Sequence, residues 1–416
     1  MKRAEQYSDH NAKSFSMAST FSWLDYSEVE RRKMLDVIDL FGEKTTRDEL
    51  GIGGVRDAFA DLLFPGTTTI QTTAKYFLFV PWMYMDLERK KVPSDKIRNR
   101  ARLFEVDLAK DLGDAKGVIG KVAKESLKRL PSSVYWQGLS VWGIRRYPGS
   151  QSEYHRSLDL FYARQKGHAA GAAEFDGEGA HEHGLANWHP GIVEPESGFP
   201  ENPNMNLTFN EASYLRERVM TKCSDSLLAY LLQHHIDCTS ARFAWEIATP
   251  LPATLAHKMT HGRNFSETIH GAQLLYNLIL AEKSERTTKT SRIDEYRDAL
   301  NKWWLDIEHR RTDLLNWNQT EFLLIVQKMN PRVSTKAKTF IQSWFDLVRK
   351  AQKQSDVVEA ANARQMIELR EFQIKGSLAR TRSQRALELW SGAAGSEQLD
   401  LRWRTSQRLI NDIQRR

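Results

Sequence analysis

Residues 131–147 read PSSVYWQGLSVWGIRRY, placing two tryptophans, two tyrosines and two arginines in one short stretch. Leu130-Pro131 breaks the chain ahead of it, and Ser132 or Ser133 offers a side-chain oxygen for the orphan N–H groups of a first helical turn. Val134, Tyr135, Trp136, Leu139 and Trp142 then form an apolar stripe, and Gly143 closes it. Just upstream, Val118, Val122 and Leu127 alternate with Lys121, Lys124, Lys128 and Arg129. Helix, short turn, helix, with cations at both ends, is the layout of a helix-turn-helix. A plain helical hairpin gives the same pattern, and an aromatic stripe suits a core as well as a base-stacking surface.

Working towards the N-terminus, residues 89–102 hold Arg89, Lys90, Lys91, Lys96, Arg98, Arg100 and Arg102 against Asp95 alone. Such a run can neutralise phosphates, or simply be a solvated helix start. Residues 67–88 are ambiguous. The threonines leave room for minor β structure around 67–80, and the apolar run after them suits a buried helix from about Thr72, bent at Pro81. Gly51-Ile52-Gly53-Gly54 has neither the Lys-Ser/Thr of a phosphate loop nor a preceding strand, so a turn is expected. Ser27 with Glu30 and Thr46 with Glu49 have capping-box spacing, each opening a helix. Residues 1–20 are polar, lack an apolar signal core and are expected as a flexible leader.

Towards the C-terminus, residues 163–205 are rich in glycine and proline and are expected as a loop or linker. They carry His181, His183 and His189, whose spacing admits zinc or nickel, in a setting without a rigid supporting shell. Helical patterning resumes at 206, with Thr208 and Glu211 as a capping box. His257 and His261 have the i,i+4 spacing of two zinc ligands, but position 258 is Lys where a zinc peptidase needs Glu. His261 and His270, with Arg263 and Asn264, are left as weak catalytic candidates. Ile293–Ile307 and Ile341–Val348 are amphipathic, the long basic stretch 353–390 is expected to be helical, and Gly392–Gly395 precede a last helix.

Net charge is +7, with 41% hydrophobic and 27% charged residues, a globular composition. Residues 331–416 hold 17 Lys and Arg against 9 Asp and Glu, which points to a polyanionic partner or a solvated face. No apolar run is long enough to span a bilayer. Cys223 and Cys238 lack CxxC spacing and are expected as buried thiols of a cytoplasmic protein. No Walker motif, nucleophile elbow or zinc knuckle is present, and no cofactor is expected.

FSWLDY at 21–26, RDELGIGGVRDAF at 47–59, LFPG at 63–66, PSSVYWQGLSVWGI at 131–144, NLTFNEASYL at 206–215 and HGAQLLYNLILAE at 270–282 together resemble a bacterial family of unknown function. The resemblance spans nearly the whole chain. It implies a neighbourhood of helicase-like and phospholipase-D-like genes in phage-defence islands, and hence a subunit of a DNA-targeting defence complex. It carries over no catalytic residue.

The expectation is therefore a mainly α, multi-helical protein. It has a helix-turn-helix-like N-terminal domain at 21–162, a loop or linker at 163–205, a helical core at 206–330 and a basic helical C-terminal region at 331–416. It would bind DNA or RNA backbone through Arg98, Arg100, Arg102, Lys121, Lys124, Lys128, Arg145, Arg146, Arg380, Arg382 and Arg385, beside a helicase-like partner. An unfamiliar metal-dependent nuclease or hydrolase, using His261 and His270 or the 181–189 histidines, and a pure protein–protein adaptor are the alternatives.

Overall fold

The computed structural model describes residues 48–121, 129–174, 186–195, 199–285 and 292–415. The features expected over 1–47, together with Lys124, Lys128, His181 and His183, lie outside the described residues. The described chain is helical, as read, and contains no strand; Arg145 and Trp188 form one isolated bridge.

Helix α1, Gly53–Leu63, starts at the glycine cluster. The Asp48 carboxylate accepts from Ile52 N and Gly53 N at 2.7 Å each, so it occupies the place where an anion would dock. Helix α2, Tyr76–Arg89, is apolar on nearly every face and is buried from Tyr76 to Tyr84, with Pro81 inside it. The threonines before it form turns rather than a strand. Thr67 Oγ1 donates to Phe64 O at 2.7 Å and Thr72 Oγ1 to Gly117 O at 2.6 Å, while Tyr135 OH accepts from Thr72 N and Thr73 N. Side-chain hydrogen bonds, local at Thr67 and long-range at Thr72 and Thr73, take the place of strand pairing there.

Helix α3 spans Ile97–Asp111, α4 Pro131–Val141 and α5 Gln151–Glu174. Neither serine caps α4: Pro131 takes the first helical position, where its missing N–H costs nothing, and Leu130 is the N-cap. The capping oxygen comes from Glu105 on α3, which accepts from Ser132 N at 2.5 Å and Ser132 Oγ at 3.0 Å. The aromatic stripe of α4 is core. Trp142 stacks on Phe77 with centroids 3.8 Å apart and donates to Pro65 O at 2.9 Å. At this crossing Gly138 is obligatory, since a Cβ would sit 2.4 Å from Gly66 O. Residues 163–174, expected as loop, continue α5, and Trp188 and Ile192 beyond them are buried.

Helix α6, Phe209–Lys222, opens on the capping box read from the sequence. Its Glu211 also receives the buried Lys75 Nζ at 2.6 Å. Helix α7 is Leu227–Gln233, and α8, Ala253–Glu285, is the long central helix. Helix α9, Ile293–His309, lies along α8 with the Trp303 indole on Gly271, where a Cβ would be 2.2 Å from the ring. Five short or medium helices follow: α10 Arg311–Leu315, α11 Gln319–Met329, α12 Thr335–Lys350, α13 Ser355–Val358 and α14 Ala361–Lys375. Then come α15 Gln384–Glu388 and α16 Trp403–Gln414. The stretch 353–390 is thus broken rather than one helix, with Gly376 ending α14 at φ 55°.

An irregular strap, residues 394–399, runs along one face of α8 and is held rung by rung. Asn277 Nδ2 donates to Ala394 O at 2.9 Å and its Oδ1 accepts from Ala394 N at 2.8 Å. Gln273 Nε2 donates to Gly395 O at 2.7 Å, His270 Nε2 to Ser396 O at 3.1 Å and Ser266 Oγ to Leu399 O at 2.6 Å. Beyond the strap, α16 packs on α6 and α7, and Asp412 accepts from Ala74 N at 3.0 Å. The expected boundaries at 162/163, 205/206 and 330/331 all fall inside one compact unit, residues 43–416. Among the described residues no helix is long and apolar enough to cross a membrane.

Candidate functional site

Helix α8 carries both histidines singled out from the sequence, and they do not meet. Nine residues at 100° each amount to two and a half turns, so His261 and His270 face opposite sides. His270 is committed to the strap as an N–H donor, and burial pushes its pKa down to about 4. His257, one turn before His261, shares its face, and Glu321 of α11 completes a group of three. His257 Nε2 lies 3.2 Å from His261 Nε2 and 3.2 Å from Glu321 Oε2, and His261 Nε2 lies 3.7 Å from that oxygen. Glu321 is placed by its position in the first turn of α11, where Asn318 caps the helix by accepting from Glu321 N.

The three side chains line an open cleft of about 590 Å³ whose walls include Trp245, Asn264, Arg310 and Trp317. His261 is 3% exposed. Burial, reinforced by His257 and opposed by Glu321, lowers its pKa to about 4, so the ring is neutral at pH 7. Its tautomer is fixed by a neighbour: Trp317 Nε1 donates to His261 Nδ1 at 2.8 Å, which leaves the ring proton on Nε2. The cations of the cleft are balanced locally. Arg310 pairs with Glu267 at 2.6 Å and Asp313 at 2.8 Å, and Arg263 pairs with Glu267 at 2.7 Å. Asn264, 1% exposed, accepts from Arg310 through Oδ1, while its Nδ2 has no hydrogen-bond partner among the described residues.

The sequence matches the description "Family of unknown function (DUF6361)" over residues 18–415. The chain belongs to that family. No curated protein and no solved structure matches it. For this DUF6361 member, roles for residues therefore come from the geometry.

The structure divides the candidate nucleic-acid contacts. Arg98, Arg100, Arg146, Arg382 and Arg385 are exposed, Arg102 is half-buried, and Lys121 is exposed but paired with Asp114 at 3.0 Å. Arg145 leaves the set: it is 4% exposed, donates to the carbonyls of Trp136, Tyr147 and Gly149, and stacks 4.6 Å over the Trp136 ring. Burial lowers its pKa to about 10. Arg380 leaves it too, buried in an ion pair with Glu49 at 2.8 Å. Burial opposes the Arg380 charge, but Glu49 outweighs it and holds the pKa above the usual value. The expected helix-turn-helix is not seen as a reading head. Its second helix, α4, is largely buried, and residues 122–128 of the first lie outside the described residues. His189 has both ring nitrogens engaged: Arg218 points an N–H at its Nε2, 3.0 Å away, and Tyr214 OH lies 3.3 Å from Nδ1.

Two features escaped the sequence reading. Glu321 lies on a different helix from the histidines, and only Asn318 ahead of it signalled a helix start. The buried group of Glu49, Tyr276, Glu371, Lys375 and Arg380 links segments hundreds of residues apart: Tyr276 OH donates to Glu371 at 2.6 Å, and Lys375 joins Glu49 to Glu371.

Proposed function

We propose that this protein is a helical, nucleic-acid-binding subunit of a bacterial defence complex, holding a phosphate backbone on the corner where α2 passes to α3. One observation supports this reading above the others. Arg89, Lys91, Lys96, Arg98 and Arg100 are exposed there and make no ion pair among the described residues. Arg89 and Lys91 close α2, and Lys96, Arg98 and Arg100 stand at the N-terminus of a 15-residue helix with no acid in its first turn. Cations at that end oppose the helix dipole by about 0.3–1 kcal/mol each, and a bound polyanion relieves the conflict. Arg382, stacked 3.9 Å over Phe372, and Arg385 are further contacts of the same kind.

The test is anisotropy of labelled DNA and RNA with purified protein, from about 50 to 200 mM salt. Affinity is expected to fall steeply over that range. Arg98→Glu with Arg100→Glu should flatten the salt slope by about one unit per lost phosphate contact. Equal binding by wild type and this variant at every salt concentration refutes the proposal. Membership of a defence complex rests on the family resemblance. It predicts nuclease-resistant co-purification with a helicase-like protein in the cytoplasm.

A further inference from the structure

We propose that His257 Nε2, His261 Nε2 and Glu321 Oε2 form a binding site for one divalent transition-metal ion, and that Trp317 tunes its affinity. A tetrahedral ion with bonds of about 2.0–2.1 Å sets its ligands about 3.3 Å apart. The three separations here, 3.2, 3.2 and 3.7 Å, have that spacing. Two imidazoles and one carboxylate suit zinc, cobalt or nickel rather than magnesium or calcium. The remaining coordination position faces the cleft, where Glu267 and Asp313 offset Arg263 and Arg310, so a dication meets no net repulsion.

Protons alone do not satisfy the three atoms. Trp317 keeps a proton on His261 Nε2, which donates towards His257 Nε2. A neutral His257 then turns the lone pair of Nε2 on the Glu321 oxygen at 3.2 Å. A protonated His257 instead sets two N–H groups against each other at 3.2 Å. A dication accepts all three lone pairs. For this, the His261 proton moves from Nε2 to Nδ1, with no net change, and the Trp317 indole gives up Nδ1 as its acceptor. Any proton on His257 goes to solvent. Lys258 takes no part, since its Nζ donates to Asp225 O at 2.7 Å, and the site lacks the general base of a zinc peptidase.

The experiment uses the untagged full chain, stripped with chelator and titrated with Co(II) while visible absorption and tryptophan fluorescence are read. One equivalent is expected, with the intense band of four-coordinate cobalt, displaced by Zn(II). His257→Gln and Glu321→Gln, at half-exposed positions that tolerate change, should each weaken binding by about 100-fold or more; losing a group merely behind a ligand costs 10–100-fold. Trp317→Phe should tighten binding about tenfold, because the ion no longer competes with an indole hydrogen bond. A structural tryptophan would have the opposite effect. His181→Gln with His183→Gln should leave binding unchanged. No saturable binding, binding that survives His257→Gln combined with Glu321→Gln, or weaker binding in a folded Trp317→Phe variant overturns the proposal. The glutamine variants carry the test even if Trp317→Phe does not fold.

Discussion

His261 and His270 sit on one helix, the first buried and the second partly buried, both with pKa values pushed to about 4 chiefly by burial. Their partners set them apart. The Nε2–H of His270 ends on a carbonyl, within a ladder in which Ser266, Gln273 and Asn277 also close on the strap backbone. The Nε2 of His261 faces a second imidazole and a carboxylate at the edge of a cleft. Burial and titration behaviour are thus no guide to which histidine is available for chemistry. The useful question is what each Nε2 faces: a backbone carbonyl for His270, and two further metal-ligating side chains for His261.

The contrast can be attacked first through stability. Asn277→Ala strips both backbone groups of Ala394 of their partners. At about 1–3 kcal/mol for each buried orphan, a loss near 4 kcal/mol is expected in urea unfolding. A loss under about 1 kcal/mol would mean that the strap is not held by α8. The second handle is pH. Both rings have folded pKa values below the usual 6.5, so between about 4 and 6.5 the unfolded chain binds more protons. Their stabilising effect is complete above pH 6.5 and lost on acidification, by at most roughly 3 kcal/mol per ring.

Glu105 works in the opposite direction. Burial raises its pKa from 4.5 to about 7, so its folded form holds the extra proton and stability falls as pH rises across that interval. Glu105→Gln should therefore gain stability at pH 8 relative to pH 5, and His270→Gln should flatten the acid limb. Thermal unfolding from pH 4 to 8 reads both. The smallest effect belongs to the open side: His257→Gln, at a half-exposed position, should shift stability by less than about 0.5 kcal/mol. A large loss there would make the cleft as structural as the strap.

The helical class was legible because long amphipathic stripes, such as Tyr296–Leu300–Trp303–Trp304–Ile307, have few alternatives, and Thr208 with Glu211 announced its own helix start. Arg145 and Arg146 could not be told apart in the sequence. One turns inward onto three carbonyls and a tryptophan face, while its neighbour stays at the surface. The i,i+4 histidines were visible, but the third member of their group arrives from α11, sixty residues on, and no local pattern encodes that meeting. The capping of α4 by Glu105, rather than by either adjacent serine, escaped for the same reason.

The late helix α16 also has a temporal meaning. Ala74 receives its hydrogen-bond acceptor from a residue 338 positions downstream, and Asp57 and Asp61 of α1 pair with Arg402. While the chain is being synthesised, the Ala74 amide and the two α1 carboxylates wait for these partners until almost every other helix has left the ribosome. The apolar Tyr76–Tyr84 segment, by contrast, meets its cover early, from α3, α4 and α5, so the docking of α16 is a late step on a unit already packed.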